Sequence, residues 1–418
     1  MRQQIKSVKR KKRIYKSVKK IRHILEFIFL KLLFGVIKRL PHRALFWTSA
    51  TIGHLMFAIP SIKKLTTSNV KASFRNKSKE EVKRIACGSL SNLVQNFFEL
   101  IWFSGEAERQ KKYLPIPLES KEPVKEKTKN GKGLIFVIPH IGNWELAALT
   151  GTANFGLPFA AVAKKLGNPY LDRLIVQKRS AEGTRIIPSK GAVRGIIKAL
   201  AKGSAIVTLI DQNLRARDGG IWVDFFGLPV SSSRAPAMLS RKLGYEIVLL
   251  EYIRVGRKYT IFTKTLPKPI SAYESDQELI QDLMIATENI VNKYPEQYLW
   301  LYKRYQHIPE TANEITIDNF PFYAKKVTPH FYNNRVPPQE NFFKWTRTIL
   351  ILCPAIGLHR KHFKVIFKMV WELGLEPRTL GLENRCSIQL SYTHIDKPSW
   401  WKKSNWQENL PIGTKFAV

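Results

Sequence analysis

The order of apolar and polar positions separates an amino-terminal helical part from a central region where buried-strand and helix patterns alternate. Leu134-Ile-Phe-Val-Ile-Pro139 is a continuous apolar run rich in branched residues, the pattern of a strand covered on both faces. A helix is predicted directly after it. Asn143 is placed to cap that helix, Glu145 sits in its first turn where a carboxylate suits the positive dipole end, and Gly151 and Gly156 lie beyond it. Further strands are predicted at 159–163, 184–188, 205–210, 246–253 and 259–262, and helices at 80–103, 169–179, 192–201, 231–244 and 276–294. This alternation predicts an α/β fold, a mostly parallel sheet flanked by helices. Residues 105–132, polar and lysine-rich, read as a loop.

The amino terminus has a different pattern. Residues 1–23 form a basic arm without a single acid, a composition expected to be solvated and disordered. Residues 24–60 carry two apolar stretches. The first, Ile24 to Ile37, is interrupted by Glu26 and Lys31 and closed by Lys38, Arg39 and Arg43; the second runs from Ala44 to Ile59. Both are too short or too charged for a span of about 20 residues. Basic residues on both sides predict a membrane-associated helical region lying in or shallowly inserted into the membrane surface. No small-residue cleavage site follows, so no signal peptide is expected.

Composition narrows the partners. With 69 Lys and Arg against 32 Asp and Glu, the formal net charge is +37, which calls for an acidic partner: nucleic acid, anionic lipid or an acidic carrier protein. The sequence has no zinc-finger, RNP or helix-turn-helix signature, and nucleic acid leaves the apolar stretches unexplained, so a nucleic-acid partner is not expected. Cys87, Cys353 and Cys386 are too widely spaced for a metal pattern or a disulfide framework, which fits a reducing compartment and no metal site.

The candidate chemistry lies at the end of the first strand. His140 falls in the strand-to-helix turn, where open α/β sheets bind ligands. Glu145 is expected to fold back on the imidazole and accept its Nδ1 proton, leaving Nε2 as a general base. A bare His-x4-Glu spacing favours a core histidine beside a helix acid, since such pairs arise often by chance. The full string His140-Ile-Gly-Asn-Trp-Glu145 after an apolar strand resembles the H-x4-[DE] block of the lysophospholipid acyltransferase superfamily, and specifically the bacterial lipid A late acyltransferases. Other blocks follow in the family's order. Asp211-Gln212 ends a strand, Trp222-Val-Asp-Phe-Phe-Gly-Leu-Pro-Val230 is similar to its Phe-Phe-Gly block, Arg179 and Gly183 match between these, and Pro295 to Arg304 is similar to its closing Pro-Glu-Gln-x-x-Trp-x-x-x-Arg pattern. Leu40-Pro41, Asn69, Glu99 and Trp102 resemble its amino-terminal part. Tyr302 and Lys303 depart from the usual residues near the end.

The resemblance covers residues 24–306 and implies an O-acyltransferase without a cofactor. Its donor would be an acyl thioester on acyl carrier protein, and its acceptor a hydroxyl of a lipid A precursor, at the cytoplasmic face of the bacterial inner membrane. His140 and Glu145 would be catalytic, with Asn143, Arg179, Asp211, Gln212, Phe225, Phe226 and Gly227 binding substrate and amides near Gly142 donating to the oxyanion. On residues alone, Arg179 fits a phosphate or oxyanion partner and a solvated helix arginine equally. The absence of a Gly-x-Ser-x-Gly elbow argues for direct transfer rather than a serine acyl-enzyme. The alternative is the same chemistry with acyl-CoA or on another phospholipid or glycolipid. The expected division is an acyltransferase domain at 61–310 and a tail at 311–418. In the tail, Phe342 to Val370 reads as a broken membrane-surface helix, and Gly374 to Tyr392 resembles the antisense translation of a transfer-RNA gene, which implies read-through sequence.

Overall fold

The computed structural model describes residues 2–333 apart from residue 190. The tail features predicted at 342–370 and 374–392 lie outside the described residues. Helix α1 (Arg2–Arg39) runs straight through the expected boundary at 23/24, so the basic arm and the first apolar stretch form one helix. It is followed by α2 (His42–Phe57), α3 (Pro60–Ser73) and α4 (Lys79–Phe103). A capping box starts α4: the Ser78 hydroxyl accepts from the Glu81 amide at 3.2 Å, and the Glu81 carboxylate accepts from the Ser78 amide at 2.9 Å. Its apolar positions, from Ile85 to Phe103, then bury against the neighbouring helices and the sheet. The stretch 105–132 is not the predicted loop but holds α5 (Ala107–Tyr113) and α6 (Leu118–Lys127). Single buried residues, Leu114 and Val124, anchor this segment, and so few apolar positions leave no readable period.

The central sheet is built from β1 (Leu134–Ile138), β2 (Phe159–Ala163), β3 (Arg185–Pro188), β4 (Ala205–Leu209), β7 (Glu246–Val255) and β8 (Lys258–Thr265) in the order β3-β2-β4-β1-β7-β8. All pairings are parallel except β7 with β8 at the edge. Helices α7 (Trp144–Phe155), α8 (Pro169–Arg179) and α9 (Ala192–Leu200) make the crossovers. Strand β1 lies in the interior of the sheet, so its side chains enter two cores: Leu134, Phe136 and Ile138 on one face, Ile135 and Val137 on the other. Each large side chain buried this way contributes about 1.5–3 kcal/mol. Helix α7 runs through Gly151 rather than stopping before it. A Cβ there would come within 2.1 Å of the Phe159 ring, so glycine lets α7 and β2 approach.

The Phe-Phe-Gly block forms a separate hairpin of β5 (Gly220–Phe225) and β6 (Leu228–Ser233), with Phe226 and Gly227 as the turn at φ 52° and 68°. The apolar pattern predicts no hairpin there. Helix α10 (Ala235–Leu243) and α11 (Asp276–Lys293) complete the cover. The predicted boundary at 310/311 is not a packing boundary: Phe320, Val327 and Phe331 are buried, and β9 (His307–Ile308) pairs with β10 (Lys325–Lys326).

Candidate active site

The register of β1 and β4 decides the site. Ile138 pairs with Leu209, so two residues further on His140 and Asp211 emerge side by side at the carboxyl edge of the sheet. The Asp211 carboxylate takes both donors that His140 offers: Oδ1 lies 2.7 Å from ring Nδ1 and Oδ2 accepts the His140 amide at 2.8 Å. Asp211 is 1% exposed. Burial by itself would raise its pKa, yet the His140 charge, the two His140 hydrogen bonds and the Arg304 guanidinium hold it below the usual carboxylate range. The carboxylate fixes a proton on Nδ1 and leaves Nε2 of the buried ring turned toward the exposed Gln212 amide, 3.4 Å away. Trp144 closes the side of the imidazole edge-on, with ring centroids 5.0 Å apart.

The expected role of Glu145 is corrected by this geometry. Its carboxylate does not reach Nδ1 but holds Arg179 through two hydrogen bonds, Nε to Oε2 at 2.8 Å and Nη2 to Oε1 at 2.7 Å. Glu145 lies in the first turn of α7, which starts beyond the turn and points its side chain to α8, whereas Asp211 arrives through an adjacent strand. The pair thus ties α7 to the end of α8, and Arg179 is engaged by a carboxylate rather than presented as a clamp for a substrate anion.

Asn143 is fully buried. Its Oδ1 caps the Leu146 amide at 3.1 Å, while Nδ2 donates to Glu99 at 3.0 Å and to the Tyr259 hydroxyl at 3.3 Å, so its polar atoms are committed inside the protein. Behind it Glu99, 0% exposed, also accepts from Gln95, Arg254 and Tyr259 and meets His42 Nε2. Burial opposes the Glu99 charge, but Arg254 and these hydrogen bonds hold its pKa down at about 2. The amides near Gly142 are equally committed: Gly142 donates to Gln297 O at 3.1 Å and Asn143 to Tyr252 O at 2.9 Å. The φ of Gly142 is 59°, and a Cβ would stand 1.9 Å from Tyr252 O, so this turn requires glycine for its shape and not for an oxyanion.

Phe225 is 0% exposed and packs against Tyr298, Tyr305 and the Arg304 guanidinium, behind Asp211. Phe226 and Gly227 turn the hairpin beside Phe74 and Trp300. The block therefore supports the site from behind, and none of its three residues is among the partners of His140.

The closing block is a strap along the same edge. Leu299 donates to His140 O at 3.0 Å, the Tyr302 hydroxyl accepts the Asn213 amide at 2.8 Å, and Asn213 Nδ2 donates to Lys303 O at 2.7 Å. Arg304, 2% exposed, donates to Asn213 Oδ1 at 3.0 Å and to Ser231 O at 2.9 Å. Its proximity to Asp211 supplies the positive charge that helps keep that buried carboxylate ionised. No role for Tyr302 is legible in the sequence. The signal for Asp211 was present, since two polar strand ends were expected on one edge; the register supplied the pairing.

The family profile described as bacterial lipid A biosynthesis acyltransferase matches residues 12–307. The chain belongs to that family. Among characterised lipid A acyltransferases it is similar to the lipid A biosynthesis palmitoleoyltransferase of Escherichia coli (strain K12), 24% identical over 288 residues that cover 67% of this chain and 90% of that protein. The lipid A biosynthesis lauroyltransferase of the same organism is 23% identical over 284 residues, 66% of this chain and 89% of that protein. A shorter match, 31% identical over 118 residues, is to the phosphatidylinositol mannoside acyltransferase of Mycolicibacterium smegmatis; it covers 27% of this chain and 38% of that protein. As a lipid A acyltransferase family member the protein is an acyltransferase, and in this family member His140 and Asp211 form the hydrogen-bonded pair at the sheet edge.

Proposed function

We propose that the protein transfers a fatty acyl chain from a thioester on acyl carrier protein to a hydroxyl of a lipid A precursor, with His140 as general base. The observation that carries this reading is the His140–Asp211 pair, with Nε2 turned toward Gln212 and away from the carboxylate, in a chain of the lipid A acyltransferase family. A hydroxyl is a weak nucleophile at neutral pH and needs a base within hydrogen-bond reach. Nε2 takes the hydroxyl proton as the oxygen bonds to the thioester carbonyl carbon. The tetrahedral adduct then collapses, the carbon–sulfur bond breaks, and the imidazolium returns the proton to the leaving thiolate. Asp211 orients the ring and offsets the imidazolium charge, and Glu145 with Arg179 holds the α7 end of the turn.

We assign the reaction to the cytoplasmic face of the bacterial inner membrane, with α1 and α2 lying on the membrane. Val18, Ile21, Leu25, Leu32 and Val36 of α1 are exposed at helical spacing, as are Trp47 and Leu55 of α2. Among the described residues no single helix is long and apolar enough to cross a membrane; α2 and α3 pass such a test only together, bent by 97°. The exposed stripe, the net charge of +37 and these helix lengths favour surface docking on anionic lipid.

The match to a phosphatidylinositol mannoside acyltransferase favours a second reading, the same transfer onto another glycolipid or from acyl-CoA. Purified protein offered acyl carrier protein and CoA thioesters with a lipid A precursor separates the two, as does mass spectrometry of lipid A from cells with and without the gene. One added acyl chain on lipid A supports the proposal. Unchanged lipid A, with transfer to a different lipid, overturns it.

A further inference from the structure

We propose that Lys303, Lys325 and Lys64 form a subsite for a phosphate group on the headgroup of the acceptor lipid, beside the strap that carries the candidate active site. This rests on the acceptor reading above and adds a place for the headgroup's charge.

Two of the three ammonium groups, those of Lys64 and Lys303, sit over aromatic faces rather than beside acids. Lys64 Nζ lies 4.3 Å from the centroid of the Phe322 ring and Lys303 Nζ 5.5 Å from that of Tyr323, and the two rings are 5.6 Å apart. Lys325 stands on β10, the neighbour of the strand that follows the strap. Among the described residues, none of the three side chains forms an ion pair. Several other half-buried cations are matched by acids: Lys38 with Glu106, Lys127 with Glu246, Arg179 with Glu145, Arg254 with Glu99. Lys303 is half-buried, so it has lost part of its hydration without gaining a carboxylate. That burial, followed by the like charge of Lys325, pushes its pKa down.

Such a group is poised for an anion from outside. A phosphate monoester brings a charge of about −1.5 to −2 and three acceptor oxygens, which suits several point-charge ammoniums better than a single carboxylate does. The location fits a substrate subsite. Lys303 O holds Asn213, which follows Gln212, the residue beside His140 Nε2. Lys64 and Lys325 are exposed and leave the cluster open to solvent.

The test measures binding and transfer with a phosphorylated lipid A precursor, the same lipid after phosphatase treatment, and inorganic phosphate alone. Lys303→Ala is expected to weaken binding of the phosphorylated acceptor and raise its KM about tenfold, with kcat within about twofold and no change toward the dephosphorylated lipid. Lys303→Arg should restore most of the loss, and Lys64→Ala or Lys325→Ala, at exposed positions, should repeat the selective effect with the fold preserved. Inorganic phosphate that protects the wild type weakly, and Lys303→Ala not at all, identifies the phosphate itself as what is recognised. Equal effects on both lipids, or none on either, overturn the inference while transfer by the wild type leaves the acceptor reading standing. Wild-type protein that neither binds nor acylates either lipid overturns the acceptor reading itself.

Discussion

Asp211→Asn separates the roles of the two acids most sharply. The wild-type carboxylate has two acceptor oxygens, one on the His140 amide and one on Nδ1. An asparagine has one. Because the backbone amide is always a donor, the carboxamide oxygen turns to it and the NH2 faces Nδ1, which must then accept. The imidazole proton moves to Nε2, and the atom that should take the hydroxyl proton already carries one. A second loss comes from charge: an imidazolium beside a carboxylate at about 4 Å gains about 4 kcal/mol at an effective dielectric near 20, equivalent to roughly a thousandfold in rate. Together these predict a fall in kcat on the order of 10³ to 10⁴, with KM nearly unchanged. Single-turnover transfer from acyl carrier protein to a lipid A precursor measures the chemical step, and ¹⁵N chemical shifts of His140 report the tautomer directly. Folded Asp211→Asn protein keeping more than about a tenth of the wild-type rate, or an unchanged Nδ1–H tautomer, would refute the argument.

Glu145→Gln should act differently: it takes from the half-buried Arg179 the carboxylate that pairs with it, so stability falls by about 1–3 kcal/mol in a denaturant titration, while the chemical step slows less than in Asp211→Asn. Glu251, buried on β7 with Oε1 unbonded among the described residues and Lys264 at 3.5 Å from Oε2, has its pKa pushed up by burial to about 7. Its raised value means that the associated stability is present below pH 4.5 and is lost as pH rises through 7; Glu251→Gln should therefore stabilise by about 1–3 kcal/mol at pH 8 and by little at pH 5, read from denaturation at both. A chain cut after Glu310 removes the buried Phe320, Val327 and Phe331 and should lose several kcal/mol, which a lower denaturation midpoint would register. Replacing Leu25 and Leu32 with Asn should reduce sedimentation with anionic vesicles at least tenfold without lowering the melting temperature, and wild-type binding should weaken steeply with salt.

Local pattern was enough to determine the sheet elements. A run such as Leu134 to Ile138 has no polar face to offer water, so burial on both sides is dictated before any partner is known, and five branched or aromatic residues in a row settle it as a strand. The helix starts at 169 and 276 follow from Asn168, directly before Pro169, and from Ser275, whose side chains cap the first amides. Where apolar residues are sparse, as in α5 and α6, or where a turn is made by Phe226 at positive φ, the local signal fails, because packing on distant residues supplies the energy. The site shows the same division. His140 and Asp211 were both legible as polar strand ends, but which acid meets the imidazole depends on strand order. Glu145 is five residues away in sequence and Asp211 seventy-one; β4 lies directly against β1, and that adjacency brings the distant carboxylate to Nδ1 while α7 carries the near one off to Arg179. Sequence distance sets what a side chain is able to reach; only the register of the sheet selects what it does reach.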